Sequence, residues 1–508
     1  MAVVVDGKTL TVSDVISVAR GGAKVELAED AENAVKKARR YVDMKLESGA
    51  VIYGLTTGFG KFADTFIPKE ETADLQRNLI MSHACAMGAP LPPATVRAAM
   101  LLRCNALARG NSGIRPETLR TLMDMLNGGV HPVIPEKGSL GASGDLAPLA
   151  HMVLPMIGEG KAEYRGEILP GREAMRRAGI PTVELAAKEG LALINGTQIM
   201  TAIGINVLWD AMSLAKLADI AAAMTAEALS GIIKAYDEKI HILRNQEGQT
   251  ETADNLRKIL RGSENVTGSN PHKVQDPYSL RCIPQIHGAS RDAIKYVYEI
   301  VSREINAVTD NPLIFPDDDE VISGGNFHGQ PLALAFDFLK IAIAEYADVS
   351  ERRTERLVNP GLSEGLEPFL TKHGGVCSGF MIAQYSAASM VSENKIYAHP
   401  ASVDSIPSSG NQEDHVSMGT TAARTAALIL DNTQKVLGIE LFAASQAIWL
   451  RGERGLSDAV RAAYGFIRKS VDPVDRDIIM YDELVKFNIM VKDGSVVAAV
   501  EEVIGGLY

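Results

Sequence analysis

Residues 138–149 read Gly138-Ser139-Leu140-Gly141-Ala142-Ser143-Gly144-Asp145-Leu146-Ala147-Pro148-Leu149, and three of the smallest residue types stand in a row at their centre. The Gly144 amide nitrogen can attack the Ala142 carbonyl carbon there, because glycine accepts the sharp turn that ring closure requires. Loss of water from the ring and from the Ser143 side chain leaves an exocyclic methylidene. No ordinary side chain supplies such a carbon electrophile. Two plainer readings of the same residues are a glycine-rich turn and a nest of backbone amides for an anion. A serine nucleophile at a strand-to-helix elbow needs glycine two positions after the serine, and Asp145 stands there instead.

Four other segments carry residues with chemistry. Tyr53 lies in Tyr53-Gly54-Leu55-Thr56-Thr57-Gly58-Phe59-Gly60, a glycine-broken loop that exposes the phenol. Asn195 precedes Gly196 in Leu193-Ile194-Asn195-Gly196-Thr197-Gln198, and Asn-Gly by itself reads as a turn. Arg281 follows Gln275 and Tyr278 in Gln275-Asp276-Pro277-Tyr278-Ser279-Leu280-Arg281-Cys282. Its planar fork can hold a carboxylate through two hydrogen bonds, although a lone arginine is ordinarily a solvated surface residue. Phe327 sits in Gly324-Gly325-Asn326-Phe327-His328-Gly329.

In this order and spacing, from about residue 50 to about residue 420, the segments resemble the ammonia-lyases of aromatic amino acids. Those enzymes build a 4-methylideneimidazol-5-one (MIO) group from their own chain. The resemblance implies that MIO forms from Ala142, Ser143 and Gly144, with no external cofactor and no metal. It implies Tyr53 as the base that removes the β-proton and places Tyr278 among the catalytic residues. Arg281 becomes the clamp for the substrate carboxylate, with Gln275 beside it. Asn195 touches the substrate or the MIO carbonyl, and Phe327 lines the same pocket. A tyrosinate base needs stabilising surroundings, since free tyrosine titrates near about 10. Helix N-termini converging on the site are the expected source.

Substrate choice within the family follows three further places. Phenylalanine-specific members carry Phe-Leu and tyrosine-specific members His-Leu where this chain has Ser82-His83. The segment Gly410-Asn411-Gln412-Glu413-Asp414-His415 carries glutamate where the aromatic lyases carry aspartate, and Met381 matches a residue of the imidazole pocket. Ser82, His83, Met381, Gln412 and Glu413 therefore resemble the histidine-deaminating members. An imidazole has two nitrogens that each need a polar partner, and burying either unpaired costs about 1–3 kcal/mol. The implied reaction converts L-histidine to trans-urocanate and ammonia. Leu55-Thr56 departs from the Ile-Asn of that branch and leans toward a tyrosine or phenylalanine ammonia-lyase or aminomutase. A non-catalytic paralogue would have lost Tyr53, Ser143 or Arg281, and all are present.

The elements that must position these residues read as mainly helical. No proline occurs between Pro181 and Pro271, Pro331 and Pro360, or Pro407 and Pro473, and these windows are rich in Ala, Leu, Ile and Met. Proline is excluded from helix interiors and alanine favours them, so the windows predict long helices packed as a bundle. The family resemblance implies the fumarase/aspartase-like fold, with a smaller N-terminal MIO-bearing domain over 1–195 and a helical bundle with a C-terminal helical region over 196–508. It also implies a homotetramer with shared active sites. Locally, Val3-Val4-Val5, Asp6-Gly7 and Lys8-Thr9-Leu10 read as a hairpin. Pro116 opens a helix that Asn127-Gly128-Gly129 closes, and Val130 to Gly144 reads as irregular chain with Pro148 near the next helix start.

Composition excludes other classes. The 508 residues carry a net charge of −12, which argues against nucleic-acid or anionic-membrane partners. No apolar run approaches the roughly 18 residues of a membrane span. The N-terminus lacks the basic start of a secretory signal. Cys85, Cys104, Cys282 and Cys377 form no CxxC pair, which suggests reduced thiols, no zinc site and a cytoplasmic location.

Overall fold

A computed structural model describes residues 2–48, 57–58, 67–68, 71–269 and 273–508. Long helices form where the sequence offers no breaker: Gln198–Ala228 and Gly419–Leu450 lie inside two of the proline-free windows, and Gln330–Val358 runs through the third with Pro331 in its first turn. A fourth, Ile283–Glu304, carries Pro284 in its first turn, where no helical amide is needed. Alanines at 218, 221, 222 and 223 are fully buried.

The contacts divide the chain into two compact units. The first holds Met1–Asn206, Tyr298–Asp337 and Pro400–Arg424; the second holds Val207–Val297, Phe338–His399 and Thr425–Tyr508. The later stretches Tyr298–Asp337 and Pro400–Arg424 pack with the N-terminal one.

In the first unit the Asp6-Gly7 turn forms, with Asp6 Oδ1 accepting from the Lys8 and Thr9 amides at 2.7 and 2.9 Å. The chain then does not fold back as a hairpin. Thr11 and Asp14 make a reciprocal capping box that starts helix Val12–Ala19. Strand Val3–Val5 pairs in parallel with Val25–Leu27 beyond that helix. Helix Pro116–Gly128 ends as expected, on Gly129 at φ +73°. The following segment is less irregular than its prolines suggest. Val130–Pro132 pairs with Lys161–Tyr164, and Pro135–Lys137 pairs with Met87–Pro90. Residues 138–145 remain a loop leading into helix Leu146–Val153, with Pro148 in its first turn.

The second unit is cored by Phe442, which packs edge-on to Phe380 at 4.7 Å and stacks on Phe487 at 4.9 Å. Beside this apolar core runs a buried polar network. Asp219 accepts from His287 Nδ1, Arg291 Nη2 and Asn255 Nδ2, and Arg353 makes a two-pronged ion pair with Glu440. Among the described residues no helix is long and apolar enough to cross a membrane, and no three His, Cys, Asp or Glu side chains gather as a metal site.

Candidate functional site

The loop at 139–145 is pinned from both sides. Gly141 O accepts from Ser417 Oγ at 2.8 Å and from the Gly329 amide at 3.1 Å, and Leu140 O accepts from the Met418 amide at 2.8 Å. On the other flank the Asp145 amide donates to Gly196 O at 2.7 Å. Gly144 lies at φ +72°, and a Cβ there would stand 2.2 Å from Gly196 O. Position 144 therefore admits only glycine, on steric and conformational grounds together.

Asn195 is 1% exposed and turns its side chain onto the serine. Its Nδ2 donates to Ser143 O at 3.0 Å and Ser143 Oγ at 3.1 Å. Thus the one amide contacts both the carbonyl and the hydroxyl of the central residue. A left-handed Gly144, a buried Ala142 and a donor on the Ser143 carbonyl all fit ring closure of Ala142-Ser143-Gly144.

Asp145 was not singled out by the sequence, and it holds this arrangement together. Its Oδ1 accepts from Ser139 Oγ at 2.7 Å and from Thr420 Oγ1. Its Oδ2 accepts from the Ile199 and Met200 amides at 3.0 and 2.9 Å. It thereby caps helix Gln198–Ala228 at its positive end. Burial pushes the Asp145 carboxyl above its ordinary value, and these four hydrogen bonds pull against that shift. The available signal was an acidic residue directly after Ala-Ser-Gly, but its partners lie at 199–200 and 420.

A cavity of about 530 Å³ opens in the same unit. Ala142, Ser143, Asn195, Phe327, Gln412 and Glu413 all line it, together with Asn311, His328, Asp414 and His415. Glu413 is fixed within its own loop: the Ser408 amide donates to Glu413 O at 2.7 Å, and Ser408 Oγ lies 3.2 Å from Glu413 Oε2. His328 and His415 were missed by sequence reading, and their rings approach with His415 Nδ1 3.3 Å from His328 Nε2.

The other expected residues fall elsewhere. Ser82 and His83 end helix Thr72–His83, with Ser82 Oγ 3.1 Å from His83 Nδ1. Among the described residues they are not part of the cavity wall. Burial holds the His83 imidazolium below its ordinary pKa, partly offset by a backbone bond at Leu79. Gln275, Tyr278 and Arg281 belong to the second unit and do cluster there. Arg281 Nη1 donates to Gln275 Oε1 at 2.8 Å, and its guanidinium lies 4.8 Å from the Tyr278 ring centroid. Tyr278 is exposed, and Arg281 Nε has no hydrogen-bond partner among the described residues. Met381, also in the second unit, opens helix Met381–Tyr397 and is half-buried. Tyr53 lies outside the described residues.

The helical fold has counterparts among known proteins. The family model for aromatic amino acid lyases matches residues 10–469, and the chain belongs to that family. It is 59% identical over 500 residues to a histidine ammonia-lyase of Alkaliphilus metalliredigens, with 98% of each chain covered. Among solved structures, a histidine ammonia-lyase from Trypanosoma cruzi is 40% identical with a TM-score of 0.92, covering 99% of this chain and 95% of that one. A tyrosine aminomutase from Streptomyces globisporus is 37% identical with a TM-score of 0.96 over the full length of both. The backbone alone therefore does not separate the two activities.

Proposed function

We propose that this chain deaminates L-histidine to trans-urocanate and ammonia through an MIO group formed from Ala142, Ser143 and Gly144. Such a group, once formed, supplies a carbon electrophile that turns the substrate amine into a better leaving group. The observation that carries the reading is Glu413 in the wall of the cavity that holds Ser143. Near-complete coverage at 59% identity to a histidine ammonia-lyase supports it.

Each residue then has a task. Asn195 holds the Ser143 carbonyl, where negative charge is best stabilised by a fixed donor. The N-terminus of helix Gln198–Ala228 adds its dipole near the loop. Glu413 accepts from an imidazole N–H, Gln412 and Phe327 bound the ring, and the family resemblance assigns Ser82, His83 and Met381 to substrate selection. Arg281 clamps the substrate carboxylate, with Gln275 orienting its fork and Tyr278 beside it as a proton-handling group. Tyr53 removes the β-proton. The assembly we propose is a cytoplasmic homotetramer with active sites shared between subunits. Supporting it, Leu334, Phe338 and Ile341 lie exposed one turn apart on helix Gln330–Val358, an apolar stripe suited to a second copy.

The test is kcat/KM for L-histidine, L-tyrosine and L-phenylalanine on one preparation, read by the ultraviolet absorbance of each product. L-Histidine is expected to lead by about 10⁴-fold, since a site built for a polar group rejects its apolar analogue. Preference for tyrosine or phenylalanine would overturn the substrate and make Leu55-Thr56 the better guide. Glu413→Gln keeps the shape and loses the charge, so it should damage histidine turnover while the intact mass still shows loss of two waters.

A further inference from the structure

Arg103 heads the largest fully buried side chains in the described residues, and the chemistry above does not use it. It projects from helix Pro93–Ala108 and is 0% exposed. Nη1 donates to Asn195 O at 2.7 Å and to Gln198 Oε1 at 2.8 Å. Gln198 is held in turn by its Nε2 donating to Thr309 Oγ1 at 2.8 Å. Nε and Nη2 of Arg103 have no hydrogen-bond partner among the described residues.

The charge of Arg103 is poorly matched as well. The nearby carboxylate, Asp310, is engaged by the buried Lys188 at 2.8 Å. Burial brings the Arg103 pKa down to about 10, against a weaker pull from Asp310. A buried cation without its own carboxylate costs stability, and apolar side chains of similar volume often do better in such places. Packing therefore gives no reason for arginine here. Its contacts do. Asn195, whose main chain Arg103 grips, is the residue whose side chain meets Ser143. A Cβ on Gly196 would stand 2.5 Å from each of Arg103 Nη1, Gln198 Oε1 and Thr309 Oγ1, so the guanidinium and its two polar neighbours together fill the space a side chain would take at residue 196.

We propose that Arg103 is a positioning residue, fixing the Asn195 main chain so that the Asn195 amide meets Ser143. The proposal rests on the reading of Ser143 as the source of the electrophile. It is tested with Arg103→Met, Asn195→Ala and the double variant in the full-length protein, by steady-state kinetics, intact mass and thermal unfolding. Arg103→Met is expected to lower kcat by roughly 10²-fold, the scale of a misplaced catalytic group, with KM within about threefold. Its Tm should not fall. The fraction of chains that has lost two waters should move in the same direction as in Asn195→Ala. The double variant should be no worse than Asn195→Ala alone, because residues acting through one contact are not additive.

Full turnover in Arg103→Met, losses that multiply in the double variant, or a steep fall in Tm overturns the proposal. If Arg103→Met does not accumulate as folded protein, Arg103→Gln, which keeps a neutral donor for Asn195 O, takes its place with the expectation reversed: kcat well above that of Asn195→Ala supports the proposal, and kcat as low as that of Asn195→Ala overturns it. If the wild type ignores L-histidine but turns over another aromatic amino acid, the substrate reading alone fails, and the cycle is decided on that amino acid. An active wild type with unshifted mass removes the electrophile and the Arg103 proposal together.

Discussion

Asp145 in the first unit and Asp219 in the second are both fully buried aspartates, and they are satisfied in opposite ways. Asp145 draws on two hydroxyls and two backbone amides, from residues 139, 199, 200 and 420. Asp219 draws on side chains: His287 Nδ1 at 2.7 Å, Arg291 Nη2 at 2.8 Å and Asn255 Nδ2 at 2.8 Å. The first therefore knots main-chain segments far apart in sequence, at the place where the loop must hold its shape. The second staples helices to one another through their side chains. Disturbing Asp145 moves backbone beside Ser143, whereas disturbing Asp219 loosens packing.

That contrast predicts a separation of activity from stability. Asp145→Asn turns an amide donor toward two backbone N–H groups or two hydroxyls. It should lower turnover by roughly 10²-fold and reduce the fraction of chains that loses two waters. Retention of full activity would mean that the loop does not depend on this knot. Asp219→Asn should instead destabilise by about 3 kcal/mol, since it leaves Arg291 buried without its carboxylate. Its kcat per folded molecule should stay within about twofold of wild type. Denaturant melts beside active-site titration decide it. Thr420→Val removes one of the four bonds to Asp145 and should cost about 1 kcal/mol, with a correspondingly smaller loss of turnover.

The smallest effect concerns pH. His287 is fully buried, and burial pushes its pKa below the ordinary histidine value despite Asp219. Arg353 Nη1 approaches its Nε2 at 3.4 Å, so the neutral ring keeps its proton on Nδ1, facing Asp219. The unfolded chain takes up a proton near about pH 6.5 that the folded state refuses. Stability from this group is thus lost as pH falls through that value. His287→Gln should flatten the drop in Tm between about pH 7 and about pH 5.5. The slope should not vanish, because burial also lowers His83, His151 and His241. An unchanged slope would remove His287 from the acid response.

Much of the helical frame was legible because the cause is local. Proline marks where helices cannot run, and Gln198–Ala228, Gln330–Val358 and Gly419–Leu450 obey it. Strand pairing was not legible, because the partner is remote. Val3–Val5 chose Val25–Leu27 across a helix, and the Thr11–Asp14 capping box that starts this helix was the overlooked clue. For the site, Ser143, Asn195, Phe327, Gln412 and Glu413 line one cavity. Asp145 and Arg103 escaped notice because their roles are set by partners at Thr420 and Asn195, and a single sequence does not announce such pairings.

Gly144 and Gly196 press backbone against backbone with no room for a methyl group on either. For anyone wishing to redirect this enzyme to a new amino acid, that contact divides the cavity wall into two kinds of territory. Gly141, Gly144 and Gly196 belong to a part in which an added side chain meets its neighbours before it reaches the substrate. The 408–415 stretch carries Glu413 on a loop with left-handed Ser409, Gly410 and Asn411, built from its own internal bonds. A mutant library confined to Phe327 and residues 408–415 would sample new side-chain pockets while leaving the 139–145 loop and its contact with Gly196 as they are.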